Sequence, residues 1–196
     1  MRTLLCLLLV SAWCASPALG QRGNLTCGGT DHYRWAQKTD TSLASRAPIA
    51  IELDTIVNTW VAPNLPANDL CAPRQGNELK TYTVVAWVRL LRAEADSDWH
   101  IELTTTAVAP IASCMIAEIP AIRYGSAFAR ARNQLTQALS ASQVAASGIV
   151  TPAVRLRFVG AAFYDGAHAT HRTHGHCNQQ PGGLWELHPV FSVQSP

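Results

Sequence analysis

The chain has 196 residues, 48% of them apolar and 14% charged, with a formal net charge of +2. That is too apolar for a disordered chain and too often interrupted by polar residues for a multi-span membrane protein. The near-neutral balance also excludes a polybasic nucleic-acid arm and an acidic solvating tail.

Met1 and Arg2 form a short positive start, Leu4 to Trp13 an apolar run, and Ala18-Leu19-Gly20 places small residues before Gln21. The pattern predicts a signal peptide over residues 1–20, cleaved after Gly20, and so a secreted or periplasmic protein with no membrane span in the mature chain. Ser11, Ser16 and Pro17 break the run short of the roughly 20 apolar residues that a transmembrane helix needs. Cys6 and Cys14 leave with the signal, and Cys27, Cys71, Cys114 and Cys177 remain. An even number in an oxidising compartment predicts two disulfides, and chain order favours Cys27–Cys71 and Cys114–Cys177. No CxxC pair is present, which speaks against a cysteine zinc site or a redox motif.

Residues 21–80 read as an irregular N-terminal lobe, turn-like at 64–69 and 73–77, with room for one strand or a short helix between Pro48 and Trp60. From residue 81 to 196 the pattern is that of a single β-rich domain. Residues 82–91 are β-branched and aromatic without a breaker, and Ala95-Asp96-Ser97 makes a turn. Residues 99–104 alternate, with Trp99, Ile101 and Leu103 on one face and Asp98, His100 and Glu102 on the other. A third strand, 114–119, stops at Pro120. Tyr124, Ala127, Phe128, Ala131, Leu135, Ala138 and Leu139 recur at helical spacing, with Gly148 as a terminator. Two strands follow. Over 153–164, Val154, Leu156 and Phe158 face inward and Arg155 and Arg157 outward; over 184–193, Trp185, Leu187, Pro189 and Phe191 alternate with Glu186 and His188.

The order strand, strand, strand, helix, strand, strand is that of an OB-like five-stranded barrel, mainly β with one helix, though other small α+β sheets share it. There is no GxSxG elbow, Walker loop or dinucleotide fingerprint. Arg155, Arg157, Trp87 and Trp99 are too few to constitute a strong nucleic-acid signal.

Four of the seven histidines, His168, His171, His174 and His176, lie in the stretch between Asp165 and Cys177. Imidazoles are common metal ligands, but this spacing matches no metal motif, and a solvated loop reads the same way. The strands offer a second set: Asp98, His100 and Glu102 share a face, as do Glu186 and His188, while Asp165 and His168 stand where the fourth strand ends. If the ends converge, imidazoles and carboxylates meet as a metal-dependent or general-base hydrolase requires. A solvent-facing polar side of an antiparallel sheet gives the same alternation.

Asp98-Trp99-His100-Ile101-Glu102-Leu103, Glu118-Ile119-Pro120, Gly160 to His168 and Glu186-Leu187-His188-Pro189-Val190 occur in this order. As a series spanning about residues 80–193 they resemble an uncharacterised family of secreted bacterial proteins. The resemblance marks His100, Glu118, Asp165, His168, Glu186 and His188 as pattern positions and implies no activity. Ala169-Thr170 departs from the family's usual Gly-Gln, and His171, His174 and His176 are peculiar to this chain, which shifts weight from the tract to the strand positions.

Two functions are consistent with these residues. One is an exported hydrolase of a phosphoester or similar polar bond in a small or polymeric substrate. Its site residues are His100, Asp165, His168, Glu186 and His188, and its cofactor is one divalent ion, zinc or similar, held by His100, Asp165, His168 and His188. The other is a non-catalytic exported OB-like module that binds a ligand or partner.

Overall fold

The computed structural model describes residues 33–65, 69–110, 113–169, 174–177 and 182–196. The predicted signal peptide, Cys27 and His171 lie outside them. In chain order the elements are helix α1 (Trp35–Lys38), strand β1 (Ile49–Ala50), helix α2 (Leu53–Thr59), strands β2 (Thr81–Ala93), β3 (Trp99–Thr104) and β4 (Cys114–Ile119), helix α3 (Ser126–Ala138), and strands β5 (Ile149–Tyr164) and β6 (Trp185–Gln194). No helix among the described residues is long and apolar enough to cross a membrane.

The fold is mainly β. β2 pairs antiparallel with both β3 and β5, β3 with β4, and β5 with β6; β4 and β6 pair in parallel and close a ring β2–β3–β4–β6–β5. The two-residue β1 adds a parallel edge to β2. Period-2 alternation turns Val84, Ala86 and Val88 of β2, Ile101 and Leu103 of β3, and Met115, Ala117 and Ile119 of β4 into one core, which Leu156, Phe158 and Leu187 complete. Helix α3 packs Phe128, Ala131 and Leu135 into this core, as its three- and four-residue spacing dictates.

Three details differ from the sequence expectation. The ambiguous 48–60 stretch is β1 followed by α2, whose Leu53, Ile56 and Val57 join the core, so α3 is one helix among three. Gly148 does not terminate α3, which ends at Ala138. Instead, at φ +88°, Gly148 turns the chain into β5, with its carbonyl accepting from Leu91 N. β5 therefore begins at Ile149, and Pro152 falls where the register with β2 is interrupted, a place where a missing N–H is tolerated. In β6 a register shift opposite Gly160 replaces the strict alternation, so Val190, not Pro189, joins the core.

The chain before β2 is fastened to the ring by a buried pair. Arg34 donates to both oxygens of Glu78, at 2.7 and 2.9 Å, and to the carbonyls of Ala72 and Pro73; Glu78 in turn accepts from Tyr164 N. Cys114 and Cys177 form a disulfide, as their order predicts. Cys71 is disulfide-bonded too, and its predicted partner Cys27 lies outside the described residues.

Candidate metal centre

The outer face of β3, β4 and β6 carries two rows of side chains. Register sets His100 directly opposite Glu118, and Ile116 of β4 against Glu186 of β6, so that two residues further along the parallel pair Glu118 meets His188. Asp98, His100, Glu102, Glu118, Glu186 and His188 are all buried. This polar face is covered, not solvated. The cover is the 174–177 segment, pinned to the first residue of β4 by Cys114–Cys177, with α1 contributing Lys38.

Glu118 is the hub. Its Oε1 stands 3.1 Å from His100 Nδ1 and 3.9 Å from His174 Nε2, and its Oε2 3.1 Å from His188 Nδ1. Among the described residues, three overlapping groups have ligand atoms within 4.8 Å of one another: His100, Glu118 and His174; Asp165, His168 and His174; and Asp98, Glu118 and His188. Two ligands each about 2 Å from one ion stand at most about 4 Å apart, so a modest contraction brings a group onto an ion.

The first group has the best chemistry. Two imidazoles and one glutamate are an established three-ligand set for zinc with one position left open. A ligating histidine ordinarily donates its other ring nitrogen to a carboxylate, and each of these has one nearby: His174 Nδ1 lies 2.6 Å from Glu186 Oε1, and His100 Nε2 lies 3.5 Å from Glu102 Oε1. These contacts are short or near but not aligned as hydrogen bonds. His174 Nδ1, Glu186 Oε1 and His100 Nε2 are thus buried without hydrogen-bond partners. Gly175, at φ +59°, permits the approach of the covering segment, because a Cβ there would meet Glu102 Oε1 at 2.5 Å and His100 Nε2 at 2.9 Å.

The second group is already engaged. Asp165 Oδ2 accepts from Lys38 Nζ at 2.8 Å and Oδ1 from Ala167 N, leaving His168 Nε2 3.9 Å away. The His168 ring stacks on His174 at 4.0 Å between centroids and is the exposed member of the cluster, 38% accessible. Glu118, His174, His168, Asp165, Lys38 and Tyr33 line a pocket of about 410 Å³ that opens to solvent.

The charges are strongly coupled. Burial depresses the His100 pKa, but the Glu102 and Glu118 carboxylates outweigh it and lift it to about 9. His174 and His188 rise likewise against burial, His174 through Glu186 and His188 through Glu118, Asp98 and Glu186. Burial raises the Glu118 and Glu186 carboxyls, yet the facing imidazoles bring Glu118 well below its ordinary value and Glu186 to about 2. His168 goes the other way, lowered by burial and by His174. It is the imidazole best kept neutral near pH 7.

Of the predicted ligands, His100 and His188 share contact with one carboxylate, and Asp165 and His168 meet the cluster through His174. No group among the described residues holds all four. Glu186 supports His174 and His188 from behind. The sequence reading left out Glu118 as a ligand, although it is a pattern position, and set His174 aside as part of a variable tract. The signal for His174 was the Cys114–Cys177 prediction, which tethers the tract to the strand that carries Glu118. Lys38 had no signal. Compared with known proteins, the chain matches no family model, no curated protein and no solved structure.

Proposed function

We propose that this is an exported, disulfide-braced metalloenzyme that hydrolyses a phosphoester or similar polar bond. In this reading the ring is an OB-like barrel carrying an N-terminal lobe. Its support is the strand order, the parallel β4–β6 closure and the helix between β4 and β5. The apolar run at the N-terminus and the disulfides support export. The motif series that resembles the uncharacterised secreted proteins supports His100 and Glu118 of the metal site, while His174 lies outside it.

The observation that carries the proposal is the His100–Glu118–His174 set, backed by Glu102 and Glu186, of which Glu118 and His174 line an open pocket. A zinc-type ion held by His100, Glu118 and His174 would supply Lewis-acid activation of the attacking water. His168, neutral and beside His174, accepts the proton of the attacking water. The water oxygen forms a bond to phosphorus, the bond to the leaving oxygen breaks, and that oxygen takes the proton from the His168 imidazolium. Lys38, at the pocket wall and held by Asp165, faces the anionic oxygens of the ester.

Purified protein with zinc or manganese should hydrolyse bis(p-nitrophenyl) phosphate, lose the activity with a chelator and regain it on metal addition. His168→Ala should keep the metal and lose turnover. Protein that binds metal yet hydrolyses no phosphate or carboxylic ester in any metal form would refute the enzyme and leave a non-catalytic binding module.

A further inference from the structure

We propose that the centre takes a second divalent ion, held by Asp98, Glu118 and His188 and bridged to the first by the Glu118 carboxylate. This rests on the metal reading above and extends it to a two-ion site.

The two oxygens of Glu118 face different ligand sets: Oε1 faces His100 and His174, and Oε2 faces His188. Ligand atoms of Asp98, Glu118 and His188 lie within 4.8 Å of one another, and all three side chains are buried. Glu186 Oε2, 3.2 Å from His188 Nδ1, holds that ring nitrogen and leaves Nε2 toward Asp98. Asp98 spends Oδ1 on Ala121 N, whereas its Oδ2 and His188 Nε2, 3.4 Å apart, are both buried without a hydrogen-bond partner. Unsatisfied buried polar atoms of this kind are costly. A cation bound between Asp98 Oδ2 and His188 Nε2 removes that cost, and Glu118 Oε2, which faces His188 Nδ1 at 3.1 Å, turns past the ring edge to reach it.

Charge balance points the same way. Asp98, Glu102, Glu118, Asp165 and Glu186 are buried carboxylates, and among the described residues Lys38 is the only lysine or arginine paired with one of them, Asp165. Glu102 faces the non-ligating His176, whose Nδ1 lies 3.0 Å from its Oε1, so three carboxylates remain. Ligating imidazoles must be neutral, so one divalent ion leaves one of those three charges unmet and a second meets it. A carboxylate bridging two ions about 3.5–4 Å apart forms the clamp that stabilises both the attacking and the leaving oxygen in phosphoryl displacement.

The test is titration of metal-free protein with Mn²⁺, with bound metal counted after gel filtration and the sample examined by electron paramagnetic resonance. Two ions per chain with an exchange-coupled spectrum are expected, and Asp98→Asn should bind one ion with an uncoupled six-line spectrum. A single ion in the wild type, or two ions without coupling, overturns the second site and leaves the first. Binding of no ion overturns both. Should Asp98→Asn fail to fold, the wild-type count and coupling still decide.

Discussion

Replacing Cys114 and Cys177 by alanine removes the bond that ties the covering segment to β4. The bond spans 63 residues, for which chain entropy gives about 14 cal/mol/K, or about 4 kcal/mol at 25 °C. In a chain of this length 1 kcal/mol shifts the melting temperature by about 2–4 °C, so the double variant should melt roughly 8–16 °C lower. A second effect is local. His174 sits three residues from Cys177, and its carbonyl accepts from Cys177 N. Without the tether the segment loses its fixed position over His100 and Glu118. Metal affinity should then fall about tenfold or more, the scale of losing an outer support of a ligating histidine. Scanning calorimetry with and without zinc, and competition against a chromophoric chelator, measure the two effects separately. A variant melting within 2 °C of the wild type with unchanged affinity would refute both the entropic estimate (about 4 kcal/mol) and the positioning of His174.

Glu186→Gln should weaken metal binding about 10–100-fold, because Glu186 faces both His174 and His188, and chelator competition reads this directly. Glu78→Ala strands the buried Arg34 guanidinium and should cost about 3–5 kcal/mol in urea unfolding, with metal affinity largely kept. In metal-free protein, His100 has its folded pKa raised to about 9, so its contribution to stability is complete below its ordinary value of 6.5 and is lost as pH rises through 9. Glu186, lowered to about 2, contributes above its ordinary value of 4.5 and loses that contribution as pH falls toward 2. Melting temperatures of chelated protein should therefore peak between these limits and decline toward pH 9; a steady rise from pH 6.5 to 9 would contradict the coupling. Metal affinity should instead increase with pH over that range, since binding expels imidazole protons.

The alternation of residues 98–103 and 185–188 was enough to place His100 with Glu102 and Glu186 with His188, but the strand order alone did not single out β4, which lies between β3 and β6 and carries Glu118. Alternation cannot say whether the polar face is wet or covered, because an exposed antiparallel face shows the same period. Here the covering residues come from stretches without periodicity: α1, which contributes Lys38, and the segment from His174 to Cys177. The hub, Glu118, lies in a strand that reads as a fully buried run, where one carboxylate carries little weight until its partners across the register are known. His174 was reachable through the disulfide alone. Fixing Cys177 at the start of β4 puts the histidine three residues before it beside the glutamate four residues after Cys114.

Anomalous scattering at the zinc edge from crystals of the zinc-loaded protein tests the central claim most directly. The account predicts a peak about 2.0–2.2 Å from His100 Nδ1, Glu118 Oε1 and His174 Nε2. Its absence at full zinc loading, or density confined to the exposed His168 and His176 rings, would contradict it.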